Sequence, residues 1–212
     1  MKRKSSHTAP DKTIGRPVGS KREDTIARIL DSALACFTSH GYASTKFKDI
    51  AVGANITSAA IYQYFDSKPA LYIAVVDHIY QDIYPRFQQA IESSTRLKER
   101  IRNLVEAMVS LHEQSPLKSG FLSSIPLETQ RHETLKEIFS HRENEMRALQ
   151  ARIFEDAIKN GEINPEWKVD NLVMMFFGSM SGMANYQLSV EGTSLRQAAD
   201  IYLSMMESHL LR

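Results

Sequence analysis

Cysteine is almost absent: Cys36 is the single thiol among 212 residues, so no internal disulfide can form. It lies in an apolar-periodic stretch, where a buried thiol acting as a small hydrophobe is expected, and a reducing cytoplasm is the natural compartment. Long hydrophobic runs are missing as well. No stretch approaches the eighteen or more uninterrupted apolar residues of a membrane span, and the basic, polar Met1 to Pro10 has no apolar region behind it to direct export. Alternating runs joined by hairpin turn residues do not occur, which argues against a sheet. There is no glycine-rich phosphate loop and no nucleophile–base pair recognisable by motif. His112, Glu128, His132 and His141 are too scattered to form a metal set, and His141 with Glu145 offers two ligands where a site needs three or four. These four residues are expected on solvated surface, no metal or other cofactor is expected, and an enzyme is disfavoured.

What is present is apolar content and an uneven charge. Hydrophobic residues make up 42% of the chain, enough to build a core. The net charge of +1 divides at Lys68: residues 1–68 carry 11 Lys and Arg against 6 Asp and Glu, and residues 69–212 carry 15 against 19. Within the first 22 residues, 7 basic side chains face only Asp11. Such asymmetry suggests that one end meets a polyanion.

Helical periodicity runs through the rest. Residues 1–19 are polar, basic and poor in large apolar side chains, which predicts a flexible arm. Ser20 and Glu23 fit a capping box opening a first helix with Ile26, Ile29, Leu30, Ala33, Leu34 and Phe37 on one face, stopped by Gly41. Ser44 or Thr45 can cap a short helix from Lys46 to Gly53. After the tight Ala54-Asn55-Ile56 connection, Thr57 opens a second short helix through Phe65, with Ile61 and Phe65 inward. Asp66 or Ser67 caps a fourth helix that tolerates Pro69 in its first turn and should kink or end at Pro85. An amphipathic helix follows from Leu97 to Leu111, then a loop or short helix over residues 117–126 and a long helix over residues 128–159. Two last helices are expected on either side of Gly192-Thr193, the second opened by the capping box Ser194 to Gln197. The fold class is therefore all-α.

A short helix, a tight turn and a second short helix, braced before and after, is the arrangement that lets the second helix enter a major groove. With Ile61 and Phe65 inward, the residues left outward are Thr57, Ser58, Ala59, Tyr62, Gln63 and Tyr64, with Lys68 just beyond. Hydroxyls and small residues suit close approach to phosphates and base edges, and Gln63 can pair bidentately with adenine. Tyr62 and Tyr64 can donate to phosphate. The sequence Gly41-Tyr42-Ala-Ser-Thr45, then Asp49-Ile50-Ala51, then Ile61-Tyr62-Gln-Tyr64-Phe65-Asp-Ser-Lys68-Pro-Ala-Leu71 resembles the helix-turn-helix of TetR-type transcriptional regulators over roughly Ile26 to Val76. The resemblance implies that Thr57 to Tyr64 is the recognition helix, that Tyr62, Tyr64 and Lys68 touch the backbone of double-stranded DNA, and that Thr45 and Lys46 are further contacts. Two positions depart from the pattern. Asn55 stands where the family usually has Gly, and it is the next most tolerant residue for positive φ. Ser58-Ala59 replaces a common Lys-Gly pair, which removes one charged phosphate contact. In the arm, Gly15-Arg16-Pro17 resembles an AT-hook core, so Arg16 is a candidate for a narrow minor groove.

These readings divide the chain into an arm (1–19), a DNA-binding domain (20–68, with the helix-turn-helix at about 45–65) and a helical domain (69–212) for dimerisation and sensing. For the dimer, wide apolar faces with many methionines and small residues single out Met175, Gly178, Ser179, Gly182, Met183, Tyr202, Met206 and Leu210. The resemblance implies the same interface of two helices from each subunit, and it also implies a pocket for a small-molecule effector. Met108, Phe121, Phe139, Met146, Phe176 and Met180 are the candidates to line that pocket. The expected function is a ligand-responsive repressor, cytoplasmic and nucleoid-associated, that binds a palindromic operator as a homodimer. A helical scaffold without specific DNA binding is the competing reading, and it leaves the basic arm and the Tyr-Gln-Tyr face unexplained.

Overall fold

The computed structural model describes residues 18–209, with side chains for 21–139 and 144–208. Arg16 and Leu210 lie outside the described residues, and the His141 side chain lies outside those described. Among the described residues the chain is helical without strands: α1 (Val18–Ser44), α2 (Phe47–Ala54), α3 (Ser58–Ile61), α4 (Lys68–Glu92), α5 (Leu97–Gln114), α6 (Pro116–Arg131), α7 (Glu133–Lys159), α8 (Val169–Ser189) and α9 (Leu195–His209).

The first three helices form where their caps and apolar faces require. Gly41 breaks α1 with φ 74° and ψ 169°, a conformation that only glycine adopts without strain. Helix α1 already begins at Val18, so Ser20 lies inside its first turn and the Ser20–Glu23 pair is not the helix start. Asn55 ends α2 in the left-handed region (φ 54°, ψ 49°), the one non-glycine residue with positive φ among those described. There the N–H groups of Asn55 and Ile56 close onto the carbonyls of Val52 and Ala51, at 3.1 and 3.0 Å. Thr57 caps α3 by accepting from the Ala60 N–H, and Ser67 caps α4 by accepting from the Ala70 N–H.

Neither internal proline ends its helix. Helix α4 runs through Pro85 to Glu92, and α6 runs through Pro126 to Arg131. Pro85 and Gln81, whose carbonyl loses its intrahelical partner, are both exposed, so the freed acceptor faces solvent while packing holds the rest of the helix. Residues 116–131 therefore form one helix, and the break expected near 127 falls instead at His132 (φ −130°, ψ 100°).

The buried residues form two clusters joined by α4. The first gathers Ile29, Phe37, Ile50, Ile61, Leu71 and Tyr72 with Leu111, Phe121, Leu135 and Phe139, so α6 and the start of α7 complete the core of the N-terminal helices. Cys36 is half-buried against it, and burial raises its thiol pKa. The second cluster packs Phe87 and Ile91 with α5, α7, α8 and α9. Helix α6 touches both α1 and α8: a Cβ on Gly120 would stand 2.9 Å from Leu188 Cδ1 and 3.6 Å from Thr38 Cγ2. Three residues expected on solvated surface are drawn inward here. His112 is 3% exposed with Nδ1 2.9 Å from Ser119 Oγ, and Glu128 and His132 pack against Tyr42. Each has a partner distant in sequence or on the next helix, which local periodicity does not reveal.

Candidate nucleic-acid interface and cavity

Helix α3 is one turn long and is extended by i→i+3 and i→i+4 hydrogen bonds as far as Phe65. So short a helix has no stability of its own. It is held by Ile61, fully buried in the first cluster, with Phe65 half-buried beside it. On the opposite side Thr57, Ala59, Tyr62 and Gln63 are exposed, and Ser58 is half-exposed. The Tyr62 ring rests on Phe47 of α2, centroids 4.9 Å apart, while 60% of the residue remains open to solvent. Lys46 and Lys48 are exposed on the adjoining end of α2.

Three expected contacts are placed differently. Thr45 is 1% exposed, and its hydroxyl bonds the carbonyls of Gly41 (2.7 Å) and Cys36 (3.1 Å). It neither caps α2 nor faces outward; the α2 N-cap is Lys46, with no side-chain bond. Lys68 Nζ donates to the carbonyls of Tyr42 (2.8 Å), Ala43 (3.1 Å) and Thr45 (3.2 Å), which uses all three ammonium protons. It also lies 4.5 Å from the centre of the Tyr42 ring. Burial lowers the Lys68 pKa, partly opposed by the Glu128 charge. Lys68 thus clamps the end of α1. Tyr64 is half-buried with the Arg22 guanidinium over its ring at 5.1 Å, so Arg22 joins the face expected of Thr57 to Tyr64. Only the fold could reveal that pairing, because Arg22 lies 42 residues away on α1.

Behind this unit is a cavity of about 560 Å³, within the range of small-molecule sites. Met108, Phe139, Met146 and Met180 line it as expected. Phe121 and Phe176 do not: both are fully buried in the two cores, Phe121 against Phe37 and Tyr72, and Phe176 against Phe154 and Phe177. The wall also holds Ser119, Ser123, Thr129, Gln150 and Ser181, with Arg147 and Asp170 as its charged residues. Among the described residues no group of three or more His, Cys, Asp or Glu could hold a metal.

On the outer side of α8 and α9, Met175, Tyr186, Ile201 and Met205 are exposed by 40, 62, 64 and 64%, while Met174, 69% exposed, stands at the edge of the cavity. Gly178 and Gly182 lie on this side with nothing within 4 Å of an added Cβ. Of the residues expected to dimerise, Met175, Gly178 and Gly182 are exposed, and Ser179 and Met183 are half-buried. Met206 is 5% exposed and belongs to the protomer core, and Tyr202 packs half-buried against the same core. The period of α9 turns Ile201 and Met205 outward instead.

A helix-turn-helix with an exposed polar second helix, carried on a larger helical domain, defines a DNA-binding transcriptional regulator rather than an enzyme. The chain belongs to the TetR family. The bacterial regulatory proteins of the tetR family match residues 29–75, and the tetracyclin repressor-like C-terminal domain matches residues 98–208. Its relatives include the transcriptional activator FasR of Mycolicibacterium smegmatis, 28% identical over 115 residues, 51% of this chain and 52% of that protein. The chain thus spans about half the length of FasR. The transcriptional repressor KstR2 of the same organism is 26% identical over 169 residues, covering 76% of each chain. In fold it is similar to a TetR transcriptional regulator from Chloroflexus aurantiacus, with a TM-score of 0.74 and 24% identity over 91% of this chain and 98% of that one.

Proposed function

We propose that this regulator is a ligand-responsive repressor that binds a palindromic operator as a homodimer and is released by a small molecule. The observation that carries the reading is the exposed Tyr62–Gln63 edge, fixed by buried Ile61. Gln63 reads a base edge, Tyr62 donates to phosphate, and Thr57, Ser58 and Ala59 permit close approach. Lys46 and the Arg22–Tyr64 pair supply flanking backbone contacts, and Arg16 is the candidate for the minor groove. Two recognition helices must sit about 34 Å apart to enter successive major grooves, which a twofold dimer provides.

The open apolar face of α8 and α9 supports that dimer. Exposed Met175, Ile201 and Met205 are large side chains that a second copy would cover, and the bare backbone at Gly178 and Gly182 allows close helix approach. The cavity supports effector control, because a molecule held between α6, α7 and α8 touches the helix that also packs on α1. Such a ligand shifts DNA binding only if it prefers the form whose recognition helices are misplaced. Repression is favoured by KstR2, described as a repressor, over FasR, described as an activator. Among the described residues no helix is long and apolar enough to cross a membrane, which agrees with action on DNA in the cytoplasm.

A gel shift on the DNA upstream of the chain's own gene tests the reading. A specific complex should form and lose roughly a hundredfold in affinity between about 50 and 200 mM salt if four phosphates are neutralised. Absence of any sequence-dependent shift would leave the scaffold reading standing.

A further inference from the structure

The cavity has a length, a charged end and an apolar body, and together these restrict what fills it. Its wall follows α8 from Asp170 to Ala184, a rise of about 21 Å over fourteen residues, and α6 from Ser119 to Thr129, about 15 Å. An extended chain advances about 3.5 Å for every three bonds, so walls of this span flank a chain of roughly a dozen bonds or more. Between the ends, four methionines (Met108, Met146, Met174, Met180) form a soft wall that adapts to an unshaped chain better than a rigid one would.

Charge enters at one end, where Arg147 and Asp170 form an ion pair at 3.3 Å. Gln150 lies three residues on from Arg147, on the same side of α7, and also lines the cavity. Arg147 and Gln150 both supply N–H donors there. Asp170 is the more exposed partner, its side chain 71% open against 56% for Arg147, and it stands in the first turn of α8, where a carboxylate is favoured without a salt-bridge partner. A ligand anion can therefore take the place of Asp170 on the guanidinium, opposed only by the charge of the displaced, solvated carboxylate. A ligand cation would have to approach Asp170 against the charge of Arg147.

Resting on the reading of this cavity as an effector site, we propose that it takes a long, apolar, unbranched chain ending in a small anion, with the anion on Arg147 and Gln150 and the chain along α8. A carboxylate and a phosphate monoester share this chemistry. Calorimetric titration of the full-length protein with dodecanoate, dodecyl phosphate, octanoate and dodecyltrimethylammonium, each below its micelle concentration, separates the cases. One site per chain is expected for a dodecyl anion, at least tenfold tighter than for the dodecyl cation and about a hundredfold tighter than for octanoate; whichever dodecyl anion binds tighter names the head group. Arg147→Gln should lower anion affinity at least tenfold and tighten binding of the cation with the melting temperature unchanged, and Asp170→Asn should raise anion affinity severalfold. No saturable anion binding, tighter binding of the cation, or undiminished anion binding by Arg147→Gln would each overturn the proposal. The wider reading fails separately: if dodecanoate saturates the site yet leaves the gel shift unaltered, the ligand class stands and effector control does not.

Discussion

Glu128, near the end of α6, accepts the backbone N–H of Tyr42 at 3.2 Å across 86 residues of chain. Its Oε1 lies where a Cβ on Gly41 would meet it at 3.1 Å, and its Oε2 is 3.3 Å from His132 Nε2. The bond ties the α1–α2 junction, which positions the helix-turn-helix, to a helix whose flanking residues Pro126 and Thr129 line the cavity. Glu128→Ala would strand the Tyr42 N–H and should cost about 1–3 kcal/mol in chemical denaturation. Glu128→Gln keeps an acceptor and should recover most of that loss. Equal stability of the alanine variant and the parent would show that the bond holds nothing.

His112 is enclosed by α5, α6 and α8, with Ser119 on its Nδ1 and Gln187 and the Glu113 carboxylate as its other polar neighbours. Burial pushes its pKa below the ordinary 6.5, with Gln187 and Glu113 opposing in part. A depressed histidine pKa means that the unfolded chain binds the proton more readily, so stability falls as pH drops through 6.5 toward the folded pKa and levels off below it. Melting temperatures between pH 7.5 and 5 should decline in the parent and decline less in His112→Gln. Parallel curves for the two proteins would exclude His112 as the source.

Ile201 and Met205 stand one turn apart on the outer face of α9, each 64% exposed. A glutamate at either position is solvated in the protomer, where surface changes stay within about 0.5 kcal/mol. In a dimer whose interface covers this face, the same charge is buried without a partner. Ile201→Glu should therefore weaken association by about 3 kcal/mol, over a hundredfold, read by sedimentation at micromolar concentration. An unchanged dimer would move the interface elsewhere.

Local chemistry made the helix-turn-helix legible before any coordinates. The Thr57 and Ser67 hydroxyls, the left-handed Asn55 and the inward Ile61 all act over four residues or fewer, so sequence spacing is sufficient to find them. The intramolecular partners of Lys68 and Thr45 are carbonyls around the break in α1, up to 26 residues away, and neither spacing nor the family resemblance reveals them. Phe121 and Phe176 show the same limit from the apolar side: periodicity marks an inward face but not whether that face meets a core or a cavity. On α9, Met206 and Met205 are neighbours about a quarter turn apart, and only the packing of α9 against α5 and α8 decides which one is open.

DNA reading turns on the exposed edge of α3, and the most direct measurement is a footprint with Tyr62→Ala and Gln63→Ala combined. Both side chains are outside the core, so the variant should keep the parent's melting temperature and its dimer. Protection of the operator should disappear, with affinity falling to that of nonspecific DNA. A protected site of undiminished strength and unchanged sequence preference would contradict the assignment of α3 as the element that reads DNA.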